Sequence, residues 1–252
     1  MILLSVHSAG TQPNSSPRPT RRRSHNPYGH EFAICQLHRA LARLFVPVLL
    51  ALAFLGGAVS PGLAAAEPLQ VVVLGDSLSA GYLLPQDAAF PTVLEQALRA
   101  SGMNVEIANA GVSGDTARGG LERLDWAVPN GTRAVIVELG ANDMLRGTDP
   151  AQTRDALDKI VTRLQARGIK VMIAGMLASP SLGRDYGDKF NAIYPALAKK
   201  HNVPLYPFFL EGIAGNPALN LDDGMHPNRK GVEAVVREIL PAVKSFLAGA
   251  AG

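Results

Sequence analysis

The residues that could carry out acyl transfer are a serine and a histidine far apart in the sequence. Ser77 lies in Gly75-Asp76-Ser77, directly after an apolar run, where the glycine would permit a tight turn. A serine at that place could act as a nucleophile, or it could cap a following helix. The local context leaves both interpretations open.

A nucleophilic serine needs a base, and His201 and His226 are the two histidines after Glu67. His201 follows two lysines at the predicted end of a helix, where the helix dipole favours an imidazolium, so we interpret it as structural. His226 has Asp222 and Asp223 four and three residues upstream, and a folded loop could let one carboxylate accept its Nδ1 proton. Alternatively, both aspartates are solvated loop residues and His226 is a capping residue.

Acyl transfer also needs hydrogen-bond donors for the developing oxyanion. Gly114 follows the second apolar run and could offer a backbone N–H, and Asn142 follows the third and could offer its side-chain amide. Each feature alone is ordinary turn chemistry. Together with Ser77 they occupy successive strand ends, which is where an active site would need them.

The elements that must position these residues follow a repeating order. Short β-branched runs alternate with helical patterns, which is typical of a parallel sheet covered on both faces. Strands are predicted near residues 69–74, 105–109, 134–138, 171–176 and 204–206. We therefore predict a three-layer α/β/α sandwich, flavodoxin-like, with a roughly five-stranded parallel sheet. Active residues should lie beyond the carboxyl ends of its strands.

Two helices have clear signals. Asp149-Pro150 supplies an N-cap and a first-turn proline, Leu157, Ile160, Val161 and Leu164 share one face, and Gly168 ends the pattern. A final helix is predicted from Pro227 towards Leu247.

Four segments together resemble the sequence blocks of SGNH (GDSL) hydrolases, specifically the bacterial periplasmic thioesterase I, lysophospholipase and arylesterase group. They are residues 75–82 (GDSLSAGY), 113–116 (SGDT), 138–143 (ELGAND) and 223–227 (DGMHP), in that order. The likeness extends over roughly residues 69–247. One departure is Ala141, where this group commonly has a second glycine before the asparagine.

The resemblance implies a role for each matching residue. Ser77 would be the nucleophile, His226 the base and then the acid, and Asp223 the residue that orients His226, preferred to Asp222 by the Asp-x-x-His spacing. The backbone N–H groups of Ser77 and Gly114 and the amide of Asn142 would hold the oxyanion. No metal and no organic cofactor is implied.

The expected function is hydrolysis of acyl esters and thioesters, on a small molecule or a lipid, through a covalent acyl-enzyme. A carbohydrate O-deacetylase would use the same blocks with a tighter pocket, and acyl chain-length preference would separate the two. Residues 143–149 and 177–188 are predicted to be loops able to rim an acyl groove. A non-catalytic ligand-binding module is the third possibility. Neither of the common nucleotide-binding glycine motifs follows a predicted strand, and no G-x-S-x-G elbow is present.

Charge and composition limit the partners of the chain. Six of its 24 basic and one of its 21 acidic residues precede Glu67, which leaves 18 basic against 20 acidic. The remaining chain lacks the basic excess that nucleic-acid binding favours, so no nucleic-acid partner is expected. Its single cysteine, Cys35, also precedes Glu67. We expect a monomer that meets membranes only through the leader or a lipid substrate.

The first 66 residues have the pattern of an export leader. Residues 44–66 carry no charge, follow Arg39 and Arg43, and end in three alanines before Glu67. This arrangement predicts a secretory signal cleaved near Ala66/Glu67, although the uncharged stretch is also long enough for a membrane anchor. We therefore predict an N-terminal extension with a signal peptide over residues 1–66, a catalytic domain over 67–252, and a periplasmic or secreted location.

Overall fold

The computed structural model of the protein describes residues 67–250. The leader predicted within residues 1–66 lies outside these described residues, so its cleavage stays a prediction. Among residues 67–250, no helix combines the length and the apolar character needed to cross a bilayer.

Five parallel strands form one sheet, and all five were predicted from the sequence. In space their order is β2-β1-β3-β4-β5, so the chain reverses its direction of travel beside β1. Ligands of such sheets bind where this reversal occurs, beyond the carboxyl ends of the strands. The strands are β1 (Leu69–Gly75), β2 (Val105–Gly111), β3 (Ala134–Glu138), β4 (Lys170–Ala174) and β5 (Leu205–Tyr206).

The middle of the sheet is buried on both faces. Every residue of β3 is buried, as are the last five residues of β1. Such continuous apolar runs are typical of parallel strands covered by helices on both sides, and they explain why these strands were predictable. The structure confirms the three-layer α/β/α prediction.

Nine α-helices lie within residues 67–250, and two short 3₁₀ turns, Gln86–Ala88 and Pro180–Leu182, accompany them. Helix α2 packs against α9, while α3 and α8 pack against α6. The helices are α1 (Ser77–Ala80), α2 (Phe90–Ala100), α3 (Ala117–Glu122), α4 (Leu124–Ala127), α5 (Ala141–Leu145), α6 (Pro150–Ala166), α7 (Arg184–Asn191), α8 (Ile193–His201) and α9 (Arg229–Ala248).

Helix α6 confirms its sequence signals. The Asp149 side chain accepts a bond from the backbone N–H of Ala151, Pro150 is the first helical residue, and Gly168 has a φ of +73° just beyond the helix. Its apolar face is buried in the core, as predicted: Leu157, Ile160, Val161 and Leu164.

Some predicted boundaries were wrong. Helix α9 begins at Arg229 and not at Pro227, because the Asn228 side chain caps it by accepting a 3.0 Å bond from Gly231 N–H. Strand β4 ends at Ala174, two residues early. The segments predicted as loops over residues 143–149 and 177–188 contain the end of α5 and part of α7.

Candidate active site

Ser77 is the first residue of the short helix α1, which follows β1 after a single intervening residue. That residue, Asp76, is the N-cap, because its Oδ1 accepts a 2.9 Å bond from Leu78 N–H. The interpretation of Ser77 as a helix cap is therefore wrong. Its hydroxyl is left available for another partner.

Gly75 has a different role from the one expected. Its φ is not positive, so it does not provide a left-handed turn. A Cβ atom at Gly75 would lie 2.2 Å from Ser79 Oγ and 2.7 Å from Glu138 Oε2. Glycine is needed there because α1 approaches β3 closely, and that approach fixes the position of Ser77 beside the sheet.

Ser77, His226 and Asp223 form one hydrogen-bonded chain. His226 Nδ1 lies 2.6 Å from Asp223 Oδ2, and His226 Nε2 lies 2.8 Å from Ser77 Oγ. Because an ionised carboxylate only accepts hydrogen bonds, it holds the imidazole proton on Nδ1 and leaves Nε2 to accept from the serine hydroxyl. The three residues therefore have the geometry of a nucleophile, a base and an orienting acid.

The loop before α9 sets the charge of Asp223. The backbone N–H groups of His226 and Met225 donate to Asp223 Oδ1 at 3.0 and 2.9 Å. These bonds lower the pKa of Asp223 to about 2. The carboxylate that faces the imidazole is thus ionised, whereas Asp222, the rival orienter, makes no hydrogen bond to His226.

The two candidate oxyanion donors follow β2 and β3, as their positions in the sequence indicated. Gly114 has a φ of +83°, and its carbonyl accepts a 2.7 Å bond from Arg146 Nη2. Asn142 lies in α5, and its Nδ2 donates to Asp76 Oδ2 at 3.1 Å. Asn142 is thereby joined to the residue that precedes Ser77.

Two buried carboxylates lie beneath Ser77, and sequence reasoning missed their importance. Asp76 is completely buried, and burial raises its pKa to about 6. Glu138 is also buried, and burial followed by the charge of Asp76 raises its pKa well above the usual range. Glu138 Oε2 accepts a 2.7 Å bond from Ser79 Oγ. A charged residue that ends an otherwise apolar strand was the available signal.

Arg123 is a second buried polar residue that the sequence gave no reason to select. Its Nη2 donates to the carbonyl of Gly75 at 2.9 Å, and its Nε lies 2.5 Å from Asp115 Oδ2. Arg123 thus joins the turn that carries Ser77 to the turn that carries Gly114. These contacts fix the positions of two of the sequence blocks relative to each other.

An aromatic ring covers part of the imidazole. The rings of Tyr82 and His226 have centroids 4.4 Å apart and are inclined by 35°. Tyr82 is partly exposed. Tyr82 belongs to the first sequence block, but no role for it could be inferred from that block.

His201 lies outside this group. Its Nε2 is 2.6 Å from Asp158 Oδ1, and its Nδ1 is 3.2 Å from Gln165 Oε1, both in α6. These contacts agree with the structural interpretation of His201. In the described part of the chain, no cluster of three or more His, Cys, Asp or Glu side chains is arranged to hold a metal ion.

Known proteins match this chain across the region that carries the site. The sequence model of the GDSL-like Lipase/Acylhydrolase family matches residues 73–234. An arylesterase of Vibrio mimicus is 41% identical over 159 residues, which cover 63% of this chain and 80% of that protein. The thioesterase 1/protease 1/lysophospholipase L1 of Escherichia coli (strain K12) is 42% identical over 167 residues, covering 66% and 78%.

Solved structures give a similar result. AlinE4, described as an SGNH-hydrolase family esterase, is 44% identical to this chain and superposes with a TM-score of 0.61. The match covers 71% of this chain and 96% of that one.

Proposed function

The chain belongs to the GDSL-like Lipase/Acylhydrolase family, and from this premise we propose that it hydrolyses acyl esters and thioesters through a covalent acyl-enzyme on Ser77. Its curated relatives are an arylesterase and a thioesterase and lysophospholipase, which makes it an ester and thioester hydrolase acting on small-molecule esters. The observation that carries the mechanism is the chain of hydrogen bonds from Ser77 through His226 to Asp223.

In the proposed reaction, Ser77 Oγ attacks the acyl carbonyl while its proton moves to His226 Nε2. The tetrahedral intermediate collapses when His226 gives that proton to the leaving alcohol or thiol, and the acyl group remains on Ser77. Water then attacks the acyl-enzyme and loses a proton to His226 Nε2. The second tetrahedral intermediate collapses when His226 gives that proton to Ser77 Oγ, which breaks the bond between the acyl carbon and Ser77, releases the acid and restores the free serine. Asp223 stabilises the imidazolium in both halves of the reaction.

Three donors are proposed for the oxyanion: the backbone N–H groups of Ser77 and Gly114 and the side chain of Asn142. Within residues 67–250, neither of these two backbone N–H groups donates a hydrogen bond to another residue. Asn142 uses one of its two amide hydrogens for Asp76, which leaves the other for substrate. Losing one such donor typically lowers kcat by about 10²- to 10³-fold.

The exposed apolar side chains support an acyl substrate longer than acetate. Within residues 67–250, seven large apolar side chains are exposed. Five of them lie within about eight residues after the end of β1, β2, β3 or β4, and Met225 lies beside His226 in the loop before α9. Trp126 is the seventh and lies in α4, farther along the chain from the end of β2. Each methylene removed from water gains about 0.8 kcal/mol, so these side chains would favour a longer acyl chain over acetyl. Apart from Trp126, the six are Tyr82, Leu83, Val112, Leu145, Leu177 and Met225.

The proposed activity is tested by following p-nitrophenol release from acetate, butyrate, octanoate and palmitate esters, with purified wild type and Ser77→Ala in parallel. We expect Ser77→Ala to lower kcat/KM by about 10³-fold or more while circular dichroism shows the same fold. Preference for medium chains supports a lipid esterase or thioesterase. Strict preference for acetate favours the O-deacetylase instead. Equal rates for mutant and wild type would exclude Ser77 as the nucleophile.

We also propose that the protein is exported after cleavage near Ala66/Glu67 and acts as a monomer in the periplasm or medium. The leader pattern of residues 39–66 supports export. Gel filtration with light scattering measures the oligomeric state directly, and a dimer mass at micromolar concentration would contradict the monomer.

A further inference from the structure

The Asp76 carboxylate is completely buried, and both of its oxygens are occupied. Oδ1 accepts from Leu78 N–H at 2.9 Å and caps α1, whereas Oδ2 accepts from Asn142 Nδ2 at 3.1 Å. The second bond joins residues 66 positions apart, one before the proposed nucleophile and one at the proposed oxyanion site. Helix capping alone would not require this second contact, because a serine could cap α1 equally well.

We propose that Asp76 is a positioning residue that fixes the Asn142 side-chain amide so that its second N–H points at the substrate oxyanion. This inference rests on the proposed function. An amide group has two hydrogens in one plane, so anchoring one of them to a carboxylate sets the direction of the other. The anchor also determines which end of the amide faces the substrate, because a flipped amide would present its oxygen to Asp76 and lose the bond.

The charges around Asp76 support an ionised anchor. The titratable groups that act on it or are affected by it are Glu138 in β3, Asp115 after β2, His226 before α9 and Tyr194 in α8. Both oxygens of Asp76 accept hydrogen bonds, whereas Glu138 Oε1 is buried and has no hydrogen-bond partner among the described residues, so Glu138 is the carboxyl with room to hold a proton. Burial raises the pKa of Asp76 to about 6. Above about pH 6, Asp76 therefore carries the negative charge and makes a charge-assisted bond to Asn142.

Two substitutions separate this role from helix capping. Asp76→Ser keeps a capping oxygen for Leu78 N–H, but its short side chain does not reach Asn142. Asp76→Asn also keeps a cap, yet its own NH₂ faces the NH₂ of Asn142, so the anchor is lost. We expect both variants to lower kcat by about 10- to 100-fold while KM stays within about twofold, because the affected donor acts mainly in the transition state.

The decisive experiment is a double-mutant cycle with Asn142→Ala, measured as kcat/KM on an octanoate ester. If Asp76 acts through Asn142, Asp76→Asn and Asp76→Ser lower kcat/KM by less than about twofold once Asn142 is alanine. If the two losses multiply, the positioning role is wrong. The matched control is Asp158→Asn, because Asp158 is a carboxylate of α6 that pairs with Lys200 and His201 of α8. It should leave kcat/KM unchanged in both backgrounds.

The cycle separates this inference from the proposed function. Full activity of Asn142→Ala would contradict the oxyanion assignment itself. If Asn142→Ala loses activity and the Asp76 substitutions lower kcat/KM by the same factor in both backgrounds, only the positioning role is overturned.

If neither Asp76 variant folds, NMR titration of the wild type replaces the cycle. The Asn142 side-chain nitrogen should then shift with the same midpoint as the Asp76 carboxyl carbon, and no shift through that midpoint would contradict the anchor.

Discussion

Asp222 and Asp223 are neighbours with the same side chain but different contacts. Asp223 accepts bonds from the imidazole of His226 and from two backbone N–H groups, while Asp222 makes no hydrogen bond to His226. Because the pKa of Asp223 is about 2, it stays ionised throughout the pH range in which such enzymes work. The pair therefore offers a test in which each residue controls for the other.

We expect Asp223→Asn to lower kcat by about 10⁴-fold, since an amide in this position favours the wrong tautomer of His226. Asp222→Asn should keep kcat within about twofold. Steady-state kinetics on one ester measure both. A large loss in Asp222→Asn with little loss in Asp223→Asn would reverse the assignment.

Glu138 should make stability depend on pH. Its folded pKa lies well above the ordinary value of 4.5, so the folded state holds a proton that the unfolded state has lost. The free energy of unfolding therefore falls as pH rises above about 4.5, and it falls until the folded pKa is passed. Glutamine cannot ionise, so Glu138→Gln removes this dependence.

We expect Glu138→Gln to gain stability relative to wild type as pH is raised from about 4.5 to about 8, measured by urea unfolding. Glu233→Gln, exposed on α9, is the control and should show a constant difference. A Glu138→Gln difference that is flat with pH, or that shrinks as pH rises, would contradict the burial of a protonated carboxyl.

The sequence motifs were sufficient to select Ser77, Asp223 and His226, and the structure brings these three together. The roles of Asp76, Glu138 and Arg123 could not be found in the same way. Each depends on contacts between residues many positions apart, such as Arg123 with Gly75 and Ser79 with Glu138. A motif indicates which residue types occur at one place, but it does not indicate what lies opposite them in the fold.

At the scale of elements, the strands were predictable because a doubly covered parallel sheet needs continuous apolar runs. The start of α9 was not predictable from the sequence. Proline is common as the first residue of a helix, so Pro227 was chosen, whereas in the structure Asn228 is the N-cap and the helix begins one residue later. Asn228 also donates from its Nδ2 to the carbonyls of Ala218 and Asn220, which lie before the His226 loop. These tertiary bonds determine where the helix begins, and no local pattern contains them.

Strand β2 and helix α1 are in close contact at Gly111. A Cβ at Gly111 would lie 2.4 Å from the backbone nitrogen of Ala80, so Gly111→Ala must push α1 and Ser77 away from the sheet. We expect a loss of about 1–3 kcal/mol in unfolding free energy, as for an overpacked core, and a lower kcat.

Gly187→Ala is the matched control, because Gly187 lies in α7 and an added Cβ meets nothing within 4 Å. Alanine should there raise the unfolding free energy by about 0.5–1 kcal/mol, since it is the better helix former. Urea unfolding and kcat distinguish the two variants. Equal effects of both substitutions would show that α1 does not depend on close contact with β2.

For the whole molecule, the leader and the sheet lead to one further prediction. The sheet begins with β1 at Leu69, two residues after Glu67, so a chain that starts at Glu67 keeps all five described strands. We expect a chain that starts at Glu67 to fold and to have the same kcat/KM as protein exported from a bacterial host. The exported protein should begin at Glu67 by mass spectrometry. An exported form that keeps residues 44–66 and stays with membranes would favour the anchor.

The proposed mechanism requires that Ser77 forms a covalent intermediate. An ethyl p-nitrophenyl octylphosphonate would test it, because attack by Ser77 Oγ releases p-nitrophenolate and leaves a stable phosphonyl ester. We expect one phosphonyl group per chain by intact mass, on the peptide that contains Ser77. Ser79→Ala should be labelled, because Ser79 Oγ bonds to Glu138, whereas Ser77→Ala should not be labelled. Labelling that persists in Ser77→Ala would contradict the assignment of Ser77 as the nucleophile.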